Sequence, residues 1–166
     1  MPDLVIRNGR VEPDAWVYDT GDRPLVPPEG TPGLSPVLPL ANWKEQGGPA
    51  VWLAPSDDPA ELAGAIGTLQ LVAVQFPKFT DGRGYSIGAL LRTRHGYRGE
   101  LRAFGDVGRD QLFYLKRCGF DSFRLADHRD PHDALASLAD FSVRYQGSVD
   151  DPAPLFLKRL AARAAS

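Results

Sequence analysis

Cysteine occurs once in the 166 residues, as Cys118. A single thiol excludes an internal disulfide, a thiolate zinc site and a four-cysteine iron–sulfur cluster held by this chain alone. Excess charge of one sign is also lacking: 19 basic side chains face 21 acidic ones, a net charge of −2. That balance excludes a polybasic, whole-chain nucleic-acid binder. Long apolar runs are missing too. The longest, Leu71 to Val74 with its neighbours, falls far short of the ~20 residues a membrane span needs. No basic-then-apolar leader opens the chain, so a cytoplasmic location is expected. Walker A and H-E-x-x-H strings are absent.

What is present is enough apolar material for a core, 43% of residues. Eleven of the 15 prolines lie at or before Pro59. Dense proline resists regular structure. The chain therefore reads as an N-terminal arm over 1–48, an α/β core over 49–146 and a tail over 147–166 with a short helix. In the arm, Leu4-Val5-Ile6 and Trp16-Val17-Tyr18 flank the turn-forming Asn8-Gly9 and predict a small hairpin or edge ribbon. Residues 21–36, rich in proline and glycine, predict an extended linker. Leu38 to Gln46 predicts a short helix.

Strand and helix signals alternate through the core. Strands are predicted at Ala50–Leu53, Leu71–Phe76, Glu100–Phe104 and Ser122–Leu125. Helices are predicted at Pro59–Ile66, Gly84–Arg94, Gly108–Arg117 and Pro131–Tyr145. Four βα units in this order imply an α/β fold with a small parallel sheet. It is either an open sheet or part of a (β/α) barrel.

Parallel sheets bind ligands at the carboxyl ends of their strands. On that rim the densest polar stretch runs from Lys78 to Ser86, through Asp81, Arg83 and Gly84. Its glycines and positive charges suit a small anion or phosphate. Asp106 follows the next strand, with Asp110 close behind. Asp81, Asp106 and Asp110 are the catalytic candidates, and Lys78, Arg83, Gly84, Ser86, Arg92 and Arg117 the anion-binding ones. Ten basic and five acidic residues between Lys78 and Arg124 support attraction of an anionic ligand or acidic partner.

Competing structural readings accompany these. Asp81 can cap a helix with Arg83 paired to a carboxylate. Asp110, Tyr114 and Arg117 share a helix face, and the helix dipole explains both charges. Gly82, Gly84 and Gly88 have the outline of a dinucleotide loop, but five residues separate Phe76 from Gly82, and Arg83 and Tyr85 are bulky beside a pyrophosphate. The run Asp127 to Asp133, with His128 and His132, reads as a helix start with Asp130 as cap and Pro131 at the first position, so no metal site is expected. Cys118 reads as a packed thiol.

From Leu71 onward the sequence resembles a known family. The residues that carry it are Phe76-Pro77-Lys78-Phe79-Thr80-Asp81-Gly82-Arg83-Gly84-Tyr85-Ser86, Leu90 to Arg94, Gly99 to Ala103, Gly105-Asp106-Val107, Asp110-Gln111-Leu112 and Arg117 to Phe123. It is a bacterial family of uncharacterised proteins encoded beside assimilatory sulfite reductase and often labelled oxidoreductases of sulfite reduction. The match spans about residues 38–145. The resemblance implies a role in sulfite reduction, with sulfite reductase or its electron donor as partner. It also directs attention to Tyr85, Arg92 and Gln111. At Gly88-Ala89-Leu90 the chain departs from the family's more polar pattern.

With one cysteine and no well-formed flavin or nicotinamide site, a self-sufficient redox enzyme is not expected, and no cofactor is assigned. The first reading is an accessory component of assimilatory sulfite reduction. The alternative is a small α/β enzyme or binding protein for an anionic sulfur or phosphate metabolite. A flavin- or nicotinamide-dependent oxidoreductase is the weaker alternative. Neither nucleic acid nor membrane is expected as a partner.

Overall fold

The computed structural model describes residues 3–21, 35–139 and 146–165. Eight strands are found among these: β1 (Leu4–Arg7), β2 (Arg10–Pro13), β3 (Trp16–Tyr18), β4 (Ser35–Pro39), β5 (Ala50–Leu53), β6 (Leu71–Phe76), β7 (Glu100–Gly105) and β8 (Ser122–Phe123). The helices are α1 (Leu40–Gln46), α2 (Arg83–Thr93), α3 (Leu112–Arg117), α4 (Pro131–Leu135) and α5 (Leu155–Ala164). All eight strands form one sheet in the order β2-β1-β8-β7-β6-β5-β4-β3. From β3 to β8 every pairing is parallel; β1 joins β8 and β2 antiparallel.

The sheet is therefore twice the size expected from four βα units, and it is mixed. It also crosses the boundary expected at residue 48, because β1 to β4 all come from the N-terminal arm. Most of the expected linker, 22–34, lies outside the described residues, as do residues 140–145 of the helix expected over Pro131–Tyr145. The described part of that segment is α4 followed by a 3-10 turn, Ala136–Ala139.

The Asn8-Gly9 turn forms where expected, but Trp16–Tyr18 is not its second strand. Asn8 and Gly9 have φ of 50° and 77°. Two left-handed residues make a two-residue hairpin turn, which pairs Arg7 directly with Arg10. Trp16–Tyr18 instead crosses to the far edge of the sheet and pairs with β4.

That crossing dictates the shape. A flat eight-stranded sheet would hold its edge strands ~34 Å apart, at about 4.8 Å per strand. Edge strands β2 and β3 are joined by Asp14 and Ala15 alone, a link that spans at most about 11 Å. The sheet accordingly curls into a half-barrel.

Each strand alternates between two cores. Val51, Leu53, Val72, Val74, Phe76, Leu101 and Ala103 face the helices and meet Ile87, Leu91, Leu112 and Leu115. Ala50, Leu71, Ala73 and Phe104 face the inner side, where Trp16, Tyr18 and Trp52 cover them. Burial on both faces explains why β6 is a nearly unbroken apolar run.

A buried ion pair sits in the inner layer. Arg102 of β7 is 1% exposed. Its guanidinium donates to Asp14 Oδ1 at 2.6 Å, Glu100 Oε1 at 2.6 Å, Ser122 Oγ at 2.9 Å and Tyr18 Oη at 3.2 Å. Asp14 lies in the β2–β3 link, so this pair pins the link over the concave face.

Candidate functional site

The carboxyl ends of β3, β6, β7 and β8 converge on the mouth of the half-barrel. A cavity of about 340 Å³ opens there, lined by Thr20, Gln75, Phe104, Asp106, Arg124 and Asp127, among others. Gly105 shapes its wall. Its φ is 102°, and a Cβ at this position would lie 2.4 Å from the Phe76 carbonyl oxygen. That close approach lets the Asp106 N–H donate to Phe76 O at 2.7 Å. The Asp106 carboxylate accepts from the Phe79 N–H at 3.1 Å and stands 3.9 Å from Arg129. Asp106 thus ties three rim loops together.

Arg124 is the cation of this mouth. Its guanidinium lies 5.1 Å from the centre of the Tyr18 ring, a cation–π distance. It also pairs with Asp3 at 2.7 Å, and the Asp3 side chain is 64% exposed. Burial raises the Tyr18 phenol far above its ordinary range, so Tyr18 is a neutral platform.

The polar stretch Lys78 to Ser86 does stand on this rim, but two of its three charges, Asp81 and Arg83, are spent on one another. Arg83 donates to Asp81 through Nε at 3.0 Å and Nη2 at 2.7 Å, and the Arg83 N–H uses Asp81 Oδ1 as well. The pair holds the Asp81 carboxyl below the usual range and raises Arg83. Lys78 and Ser86 are exposed, as is Asp110.

Gly84 and Gly88 serve packing. A Cβ would lie 2.5 Å from the Phe76 ring at Gly84 and 2.3 Å from the Phe120 ring at Gly88. They let α2 rest on two aromatic rings, which explains the glycine string without a pyrophosphate. Gln111 Oε1 accepts from the Gly108 N–H at 2.8 Å and closes the turn before α3. Burial raises the neighbouring Tyr85 phenol, and a side-chain hydrogen bond with Gln111 opposes the rise.

The structure does not bring Arg92 and Arg117 to this rim. Arg92 ends α2 and donates to Gly119 O, Tyr97 O, Gly99 O and Asp121 Oδ2, all at 2.8–2.9 Å. Arg117 ends α3 and donates to Gln146 O at 2.6 Å. Both lie at the opposite end of their helices, where cations complement the helix dipole. Burial raises the Asp121 carboxyl despite Arg92, and it raises the Cys118 thiol, which stays protonated and poorly nucleophilic. Asp130 caps α4, accepting from the His132 N–H at 2.8 Å. Among the described residues no group of three His, Cys, Asp or Glu is placed to hold a metal.

Sequence reasoning missed Arg124, Gln75 and Thr20 as mouth residues. A signal existed for two of them. Gln75 is the one polar residue in β6, and Gln75, Arg102 and Arg124 fall on the inner-facing parity of their strands or strand ends.

No curated protein matches the chain. A family model, described as bacterial protein of unknown function (DUF934), matches residues 50–156, which include β5 to β8 and the carboxyl-end loops that form most of the mouth. Nearly two thirds of the chain falls within that match, and the protein belongs to this bacterial family.

Proposed function

We propose that the protein is a small-anion-binding component of assimilatory sulfite reduction, taking a sulfur oxyanion at the mouth of the half-barrel. The pathway comes from the family resemblance; the binding role comes from Arg124. That guanidinium is positioned by Tyr18 and, among the described residues, is ion-paired only with an exposed carboxylate. An exposed ion pair is worth ~0–1 kcal/mol, so a ligand oxyanion can replace Asp3 at little cost. A guanidinium then offers two parallel hydrogen bonds to the oxyanion.

Binding is favoured over catalysis by the state of the carboxylates. Asp81 is engaged by Arg83 and shifted away from the range a general base needs. Asp106 is occupied by a backbone N–H. Support of sulfite reductase or its electron donor is therefore read as delivery or retention of the anion.

Calorimetric titration with sulfite and sulfate tests the site. Arg124→Ala should weaken binding about tenfold or more, the worth of one charge-assisted hydrogen bond. Asp3→Ala should strengthen it, and Arg83→Ala should leave it unchanged. A deletion strain should fail on sulfate and sulfite and recover on sulfide. Unchanged binding in Arg124→Ala overturns the site, and normal growth on sulfate overturns the pathway.

A further inference from the structure

At the amino ends of the strands lies a second cavity of about 760 Å³, more than twice the volume of the mouth. Its floor is apolar, formed by Phe120, Phe123, Leu135 and Leu138. The two phenylalanines belong to the helix-side core, and the leucines pack against it. Arg92, Arg98 and Lys116 stand around it, with the carboxylates of Asp121 and Asp150.

Two of these cations have no structural duty. Arg92 is fully engaged by three carbonyls and Asp121. The end of α3 is closed without help from Lys116. Backbone N–H groups of Cys118, Gly119 and Phe120 take the carbonyls of Tyr114, Leu115 and Lys116, and Ser148 and Val149 take that of Arg117. The side chains of Arg98 and Lys116 form no hydrogen bond or ion pair among the described residues. Two unused cations beside a greasy floor form an amphipathic lining, in a volume typical of metabolite sites.

We propose that this cavity is a separate binding site for an amphipathic anion. An aliphatic or aromatic body lies on Phe120, Phe123, Leu135 and Leu138, and a carboxylate or phosphate head meets Arg98 and Lys116. The site is independent of the mouth, which suits a smaller and wholly polar anion.

Fluorescence of bound anilinonaphthalene sulfonate, displaced by decanoate or decanol, tests this on the full chain. Decanoate should displace the dye at far lower concentration than decanol. The double variant Arg98→Ala/Lys116→Ala changes only exposed residues. It should weaken decanoate about tenfold or more and leave decanol unchanged. Leu138→Gln should weaken both, whereas Arg124→Ala should weaken neither. The proposal is overturned by absence of saturable dye binding, by equal affinity for decanoate and decanol, or by wild-type decanoate affinity in the double variant. Displacement of the dye by sulfite would merge the two sites and overturn it too.

Discussion

At the carboxyl ends of the strands, Asp81 pairs with an exposed Arg83, and Arg124 is balanced by an exposed Asp3. At the amino ends, Arg92 is only 12% exposed and joins the end of α2, the Tyr97–Gly99 loop, the end of α3 and the start of β8. Both ends carry arginine–carboxylate pairs, yet the pairs differ in kind. At the mouth, water already competes for the Arg124–Asp3 pair, so under the proposed function a ligand can take the place of Asp3. The Arg92 network is framework, and its loss leaves the Tyr97, Gly99 and Gly119 carbonyls without this donor and Asp121 with the Leu101 N–H but no cation. An ion pair thus signals function or structure according to what stays behind when one partner leaves.

The largest effect that sharpens this contrast belongs to Arg92→Ala. We expect a loss of ~2–3 kcal/mol in urea denaturation, from three carbonyls left without their donor and a partly exposed ion pair broken. Its pH dependence has a definite sign. Burial already raises the Asp121 carboxyl in the folded state, and loss of Arg92 raises it further. The deficit is therefore full above that raised value and shrinks on acidification, as the folded state takes up the proton. A deficit independent of pH would remove Asp121 from the network.

Gly105→Ala qualifies the contrast from the other side, because it strains the carboxyl end. With φ of 102° and the Phe76 carbonyl in the way, it should cost ~1–3 kcal/mol. A neutral result would show that the mouth's backbone is as yielding as its side chains. The smallest effect is expected for Asp81→Ala and Arg83→Ala, with no measurable change in the denaturation midpoint. A clear shift in either would move that pair into the framework class.

Legibility in the sequence followed the range of the forces. The strand Leu71–Phe76 was read correctly because burial on both faces leaves an apolar run. The helix at α2 and the turn at Asn8-Gly9 carry local signals and form as read. Strand β4 was not legible, since Pro36 and Pro39 argue against a strand and only pairing with β3 and β5 makes it one. Gly84 and Gly88 outlined a phosphate loop. Their reason is two aromatic rings brought from β6 and from the loop before β8. Strand order alone assigns Lys78, Asp81, Arg83 and Asp106 to the carboxyl-end rim, because strand ends follow from it. Arg124 is not so assigned, because it is made a mouth residue by Tyr18, which arrives from the opposite edge of the sheet.

By itself the sequence determined most of the regular elements from β5 to β8, the turn of the hairpin and the family. Each of these rests on neighbours within a few residues or on a motif read directly. Tertiary structure alone decided that the arm completes the sheet, that the sheet curls, and that a cavity with a different lining opens at each end. These depend on contacts such as Asp14 to Arg102, 88 residues apart. No local pattern encodes such a pair, since its energy exists only once the two-residue link between edge strands has bent the sheet around it.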